Sequence, residues 1–438
     1  MNTPLCDFVE SYRDRRALRL HMPGHKGRGD FQWADITEID GADVLYHETG
    51  ALRQSEENAA RLFGAGRTLY SAEGSSLCIR AMVYLARLHA AHQGKACRIL
   101  AARNAHKTFI NAAALLDVEV GWLCPREATM LSCPVTAADL EEVLSAHPHT
   151  AVYITSPDYL GHMADIPSLA WVCHRHGALL MVDNAHGAYL KFLPHSLHPL
   201  DQGADLCCDS AHKTLPVLTG GAYLHIAKDP FLMEQAPEAM ALFASTSPSY
   251  LILQSLDRAN ALLADAFPEQ LARTSQVLNL CRQNLPQWTF AGEEPMKWTL
   301  LPKAMGYSGT ELSALLSGLG AECEFADPDH LVMMFSPANT ADELSGLTAL
   351  LQGIPPRTPI TDAPPPLPRP TPAIRPHQAL LSPRETLPVA QAQGRILASA
   401  CVTCPPAVPI VALGETITPA AIQCMQYYGL DTCTVVKE

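Results

Sequence analysis

The sequence predicts an α/β protein built on a mostly parallel sheet. From about residue 51, short apolar runs alternate with helix-period segments, the pattern of strands joined by crossover helices. Polar and ionisable residues follow the ends of these runs, where ligands sit in sheets covered on both faces. The chain has 438 residues, 48% hydrophobic and 17% charged, which marks a globular protein of two or three domains.

Residues 1–50 read as an arm. Arg13-Asp14-Arg15-Arg16 is charged, and the stretch from His21 to Gly29 is rich in glycine and cations, with turn chemistry and no sustained period. Residues 56–62 form a helical pattern that stops before Gly64. Residues 75–91 form a longer one, with Leu77, Ala81, Leu85 and Leu88 on one face. Strands are expected at 97–101, 118–123, 151–154, 178–182 and 205–208, with helices near 107–116, 137–146 and 167–176. These elements make a large domain over 51–255. A helix over 250–267 leads into a smaller α+β domain, 256–354, with strand-like runs at 298–300, 323–325 and 331–335. Residues 355–376 hold ten of the 35 prolines, a density that excludes helix and central strand, so they read as a linker. A C-terminal domain, 377–438, follows, with 408–411 and 432–436 strand-like.

The net charge of −13 argues against nucleic acid as a partner, since phosphate binding needs a basic face. No run reaches the roughly 18 apolar residues of a membrane span, and Met1 to Asp7 lacks signal-peptide features, so a cytoplasmic location is expected. Fourteen cysteines are too sparse for a disulfide scaffold. The Cys-x-x-Cys at Cys401 and Cys404 has no second pair in Cys424 and Cys433, so thiols rather than zinc are expected and no metal site is assigned.

The residues with chemistry cluster at strand ends. Lys213, in Ser210-Ala211-His212-Lys213, follows the run 205–208 and is placed to form a Schiff base with pyridoxal 5'-phosphate (PLP). Thirty residues earlier Asp183 ends the run 178–182, where a carboxylate would hold the protonated pyridine nitrogen. His186 would bond Asp183 or the cofactor O3′, or simply pack. Gly74-Ser75-Ser76 opens the 75–91 helix, whose N–H groups and hydroxyls suit a phosphate. Ser210 and His212 could add to that phosphate site and position Lys213. His106 lies in the turn after strand 97–101, where its ring could stack on the pyridine.

Together these segments resemble the Orn/Lys/Arg decarboxylase family of fold type I PLP enzymes. The similarity covers His21-Met22-Pro23-Gly24-His25-Lys26, Arg103-Asn104-Ala105-His106-Lys107, Asp183-Asn184-Ala185-His186-Gly187-Ala188, Ser210 to Leu215, Thr246 to Tyr250, Gly394-Arg395-Ile396, Pro405 to Ile410 and Gly414-Glu415. The resemblance implies an aspartate aminotransferase-like large domain, a smaller α+β domain and a decarboxylase-type C-terminal domain. It implies PLP as cofactor and decarboxylation of arginine, lysine or ornithine; the alternatives are another fold type I PLP enzyme (an aminotransferase or lyase) and a non-catalytic regulatory paralogue. By position, Lys213 would be the Schiff-base lysine, Asp183 the pyridine partner and His106 the stacking ring. Ser75, Ser76, Ser210 and His212 would hold the phosphate. Thr246 and Ser247 would reach the cofactor of the neighbouring subunit, in a homodimer or higher oligomer. Lys213, Asp183, His106 and His212 form the catalytic set; Gly74, His186, Ser247 and the others named complete the cofactor site. Three segments depart from the family pattern. The family usually has Asp-Glu-Ala-His-Gly-Ala-His, but Asn184 replaces the second acid and Tyr189 the last histidine. Thr219-Gly220 stands for Thr-Gln, and Cys404-Pro405-Pro406-Ala407-Val408-Pro409 for Tyr-Pro-Pro-Gly-Ile-Pro. For the distal substrate amine, Asp43, Glu48 and Glu324 are candidate acids.

Overall fold

The computed structural model describes residues 1–47, 49–400 and 407–438. The helices, in order, are α1 (Pro4–Asp14), α2 (Ala51–Phe63), α3 (Ser75–His92), α4 (Lys107–Leu115), α5 (Ala137–Ala146), α6 (Ile166–Arg175), α7 (Ala211–Thr214), α8 (Pro230–Ala241), α9 (Tyr250–Leu263), α10 (Phe267–Gln283), α11 (Gly309–Gly318), α12 (Ala341–Gly353), α13 (Pro376–Leu381) and α14 (Pro419–Tyr427). The strands are β1 (Arg67–Ser71), β2 (Arg98–Ala102), β3 (Glu119–Leu123), β4 (Ala151–Thr155), β5 (Leu179–Asp183), β6 (Leu206–Asp209), β7 (Ala222–Ile226), β8 (Phe290–Ala291), β9 (Lys297–Leu300), β10 (Phe325–Ala326), β11 (Leu331–Met334), β12 (Arg384–Pro388) and β13 (Thr432–Val436).

The chain divides into two compact units: Met1–Ala96 with Cys173–Gln270, and Cys97–Val172 with Leu271–Glu438. In the first, strands run in the order β1-β7-β6-β5. β5 and β6 are parallel, with Asp183 opposite Cys208; β7 is antiparallel to both β6 and β1. All of β5, β6 and β7 is buried. Cover on both faces is why the parallel pair β5 and β6 reads as apolar runs. In the second unit β2 lies between β4 and β3, parallel to each. That unit also holds the antiparallel sheet β10-β11-β9-β8 and the antiparallel pair β12–β13. No helix among the described residues is long and apolar enough to cross a membrane.

Several expectations need correction. The arm is not free of periodic structure. In α1 Leu5, Cys6, Val9 and Tyr12 are buried at helical spacing, a face hidden by the charges that follow it. Its first turn has no local side-chain cap; instead the N–H groups of Leu5 and Cys6 donate to Asp257 Oδ2, each at 3.0 Å. The helix expected over 250–267 ends at Leu263, and a second begins at Phe267. Pro268 has no N–H to donate back to Ala264, so the chain breaks there and restarts with proline in the first turn. Residues 408–411 form no strand. They are buried, but Pro409 cannot join a ladder. The 323–325 run pairs as a strand only at Phe325–Ala326. β1 and β7 were not expected; Thr68 and Ser71 interrupt the apolar character of β1 yet are buried. The Cys401-x-x-Cys404 segment lies outside the described residues. All twelve described cysteines are free thiols.

Candidate active site

β6 ends at Asp209, and Ser210 leads into the single turn α7, which carries Lys213. The Lys213 N–H donates to Ser210 O at 3.0 Å, closing that turn. Lys213 Nζ lies 2.8 Å from His186 Nε2. His212 is fixed twice to one carbonyl. Its backbone N–H and its ring Nδ1–H both donate to Gly221 O, at 3.1 and 3.0 Å.

Asp183 is the last residue of β5 and only 3% exposed. Its Oδ1 accepts the Ala185 N–H at 3.2 Å and the Cys208 thiol at 3.6 Å. Burial, reinforced by the Asp183 charge, pushes the Cys208 thiol far above its ordinary range, so it stays a donor to the carboxylate. A buried acid and an amine thus stand at the ends of two neighbouring parallel strands.

The candidate anion cradle is the start of α3. Gly74 takes φ +71°, in the left-handed region, and its N–H donates to Gly220 O at 2.7 Å. Gly220 is itself left-handed (φ +97°), and a Cβ there would lie 3.0 Å from Ala72 O. The Ser210 hydroxyl donates to Ser75 Oγ at 2.8 Å, so two of the expected phosphate ligands already converge. Ser76 is the next residue of the helix. Hydroxyls at the start of an 18-residue helix, a buried carboxylate and a lysine in one unit fit the phosphate, pyridine and aldehyde of PLP.

Thr246 and Ser247 are exposed, in a turn held to the cradle's edge by the Ser245 N–H, which donates to Glu73 Oε1 at 2.7 Å. His106 belongs to the second unit. It caps α4, accepting the Thr108 N–H on Nδ1 at 3.1 Å. Asp43 is committed to the N-terminus of α2, where it accepts the N–H groups of Gly50 and Leu52 at 2.8 and 2.9 Å. Glu324 accepts the Tyr159 hydroxyl at 3.3 Å. Glu48 lies outside the described residues.

Sequence reading did not single out a buried network one residue away from the site. Asp209, fully buried, accepts Asn184 Nδ2–H at 2.6 Å on Oδ1. On Oδ2 it accepts His198 Nε2 at 3.0 Å and His225 Nε2 at 3.2 Å. Burial opposes ionisation of Asp209 most strongly, yet the electrostatic interaction with His198 and the hydrogen bonds from His198 and His225 outweigh it and hold the carboxyl well below the usual range. Burial keeps His225 on the neutral side. Cys207 completes a cluster with metal-ligand chemistry. However, His198 Nδ1 accepts the Leu200 N–H, so Nε2 carries the proton that Asp209 receives, and hydrogen bonding accounts for the cluster. One signal was legible: Asp209, like Asp183, is an acid at the end of an apolar run.

The sequence matches two family descriptions: "Orn/Lys/Arg decarboxylase, major domain" over residues 3–289, and "Orn/Lys/Arg decarboxylase, C-terminal domain" over 366–432. It is 27% identical to the arginine decarboxylase of Bacillus subtilis over 95% of this chain and 91% of that protein. It is 28% identical to the uncharacterized protein YaaO of the same organism, over 97% and 93%. Among solved structures, the constitutive lysine decarboxylase of E. coli aligns with a TM-score of 0.79 at 18% identity, covering 100% of this chain and 82% of that one. The lysine decarboxylase of Francisella novicida aligns with a TM-score of 0.81 at 18% identity, covering 99% and 79%. These likenesses establish the fold as that of the fold type I enzymes, and the family matches establish that the chain belongs to the Orn/Lys/Arg decarboxylases.

Proposed function

We propose that the protein is a PLP-dependent carboxy-lyase that converts arginine, lysine or ornithine to the amine and CO2. The observation that carries this reading is the placement of Asp183 and the Lys213–His186 pair at neighbouring strand ends beside the Ser75–Ser210 contact. The named relatives, arginine and lysine decarboxylases, support the basic substrate class. Lys213 would hold the cofactor aldehyde as a Schiff base and yield it to the substrate amine. Bound PLP supplies the electron sink for the pair left on Cα when the carboxylate departs as CO2. Asp183 would face the ring nitrogen and hold its proton in place. Lys213 and His186, in hydrogen-bond contact, are the groups placed to deliver a proton to Cα. Gly74, Ser75, Ser76, Ser210 and His212 would hold the phosphate. His106 would stack on the ring, and Thr246 and Ser247 would serve the neighbouring subunit's site. On this reading the enzyme is a cytoplasmic homodimer or higher homo-oligomer. Its parts are the arm (1–50), the PLP domain (51–255), the small domain (256–354), the linker (355–376) and the C-terminal domain (377–438).

The test is a CO2-release screen with added PLP over arginine, lysine and ornithine, alongside borohydride reduction and peptide mapping. The expected result is CO2 with one diamine or agmatine, and reduced cofactor on Lys213. Lys213→Ala should lose both the visible absorbance and turnover. Keto-acid product, or turnover at the original rate in Lys213→Ala, would overturn the proposal.

A further inference from the structure

Asp209 is a buried anion that the proposed chemistry does not touch. It nonetheless sits between the two residues that carry that chemistry. Asn184 follows Asp183, and Asp209 precedes Ser210 and the turn of Lys213. The backbone ladder between β5 and β6 ends with the Asn184 N–H donating to Cys208 O at 3.0 Å. Beyond that bond a side-chain contact takes over: Asn184 Nδ2–H donates to Asp209 Oδ1 at 2.6 Å, with both residues fully buried.

We propose that Asn184 and Asp209 are a positioning pair that fixes the β5 end bearing Asp183 against the β6 end bearing Lys213, and that residue 184 must be an uncharged donor for this. The inference rests on the roles given above to Asp183 and Lys213. Three observations carry it. The contact is short and wholly desolvated, where an unpaired polar atom is costly. The Asn184 amide oxygen is buried with no partner among the described residues, so the side chain acts through its N–H rather than its oxygen. Asp209 Oδ2 is anchored by His198 and His225, and His225 Nδ1 meets Thr68 Oγ1 at 2.9 Å, which ties the pair to β7 and β1.

An acid at position 184 would put a second carboxyl against Asp209 Oδ1. Two carboxyls in a buried contact must share a proton, and one of them then titrates far above its usual range. The other groups facing Asp209 do not provide that proton near neutral pH. The thiols of Cys78 and Cys207 and the phenol of Tyr223 are pushed upward by burial and by the Asp209 charge. His198 and His225 already donate to Oδ2, and Lys191 is paired with Asp201.

Asn184→Asp tests this by two readouts. In the protein without cofactor, the thermal midpoint should gain a pH dependence between about pH 5 and 8 that the parent lacks. The added acid has a raised folded pKa, so its variant is destabilised at pH 8 and recovers as pH falls. With PLP bound, kcat should fall about tenfold to 100-fold at pH 8, with KM little changed, and recover toward low pH. Asn184→Ala should lose kcat at every pH. The swap Asn184→Asp with Asp209→Asn should restore both profiles, because donor and acceptor merely exchange ends of the contact. The amide, now on β6, donates to the carboxylate at the β5 end, and its oxygen still accepts from both histidines. An Asn184→Asp variant with the parent's thermal and kinetic pH profiles would overturn the inference. So would failure of the swap to improve on either single variant. The thermal readout needs neither cofactor nor turnover. A parent without decarboxylase activity but with the expected Asn184→Asp shift would sink the proposed function and leave the pair standing.

Discussion

Asp183 and Lys213 illustrate what a single side chain contributes here. Lys213 is placed by a one-turn helix and faces His186; Asp183 is held by a backbone N–H and a thiol that burial keeps protonated. The roles proposed for the two residues separate experimentally. Asp183→Ala should leave Lys213 able to trap cofactor under borohydride but lower kcat by about 100-fold or more, the scale of losing a preorganised electrostatic group. Near-normal kcat with full trapping would remove Asp183 from the mechanism. Both residues were legible because each follows an apolar run, and strand ends are where such sheets act. Asp209, His198 and His225 were not singled out. Their meaning is in contacts between positions 11 and 16 residues apart, which no local pattern encodes. Asp43, considered for the substrate amine, shows a contact the sequence did not signal: it accepts N–H groups at the start of α2.

At the scale of elements, continuous apolar strands and 3.6-period helices were readable, and elements stabilised by distant partners were not. α1 depends on Asp257 for its N-terminal hydrogen bonds, and β1 is buried despite a mixed sequence. The turn between β2 and α4 is a further case. Arg103 makes a bidentate pair with Glu415, at 3.0 and 2.8 Å, and donates to Ile410 O at 2.9 Å. Its guanidinium lies 4.8 Å from the centre of the Trp122 ring. The Lys107 N–H donates to Ala407 O at 2.8 Å, so the turn carrying His106 is fixed on both sides by the C-terminal segment. Both charges are nearly inaccessible, with 2% and 4% of the side chains exposed. Glu415→Ala therefore leaves a buried guanidinium without its counter-ion and should cost about 3–5 kcal/mol. Replacing both partners with apolar residues of similar volume should cost much less, because the desolvation of both charges disappears with them. Urea midpoints of the single and double variants check this. Equal losses in the two would show that the ion pair is not what holds the turn.

At the scale of the whole molecule, the C-terminal segment shares a core with the second unit rather than enclosing one alone. Met130, Leu131, Leu160, Phe325 and Val332 pack in one cluster with Val389, Leu397, Ile410, Ile417, Met425 and Val435. Lys303 adds a polar clasp, donating to Asp329 Oδ1 at 2.6 Å, to Asp362 O at 2.7 Å and to Tyr427 Oη at 2.8 Å. Deleting residues 366–438 would expose the first five of these apolar side chains and strip Arg103 of Glu415. At about 1.5–3 kcal/mol for each large side chain returned to water, the loss is comparable to the ~5–15 kcal/mol that holds a typical protein folded. The truncated chain should therefore aggregate, or show rapid proteolysis within 97–172 and 271–365, while Lys213→Ala remains as soluble and as resistant as the parent. That contrast separates loss of fold from loss of chemistry. A truncated protein with the parent's urea midpoint and protease resistance would mean that the shared cluster is dispensable and that the segment docks on a unit already stable without it.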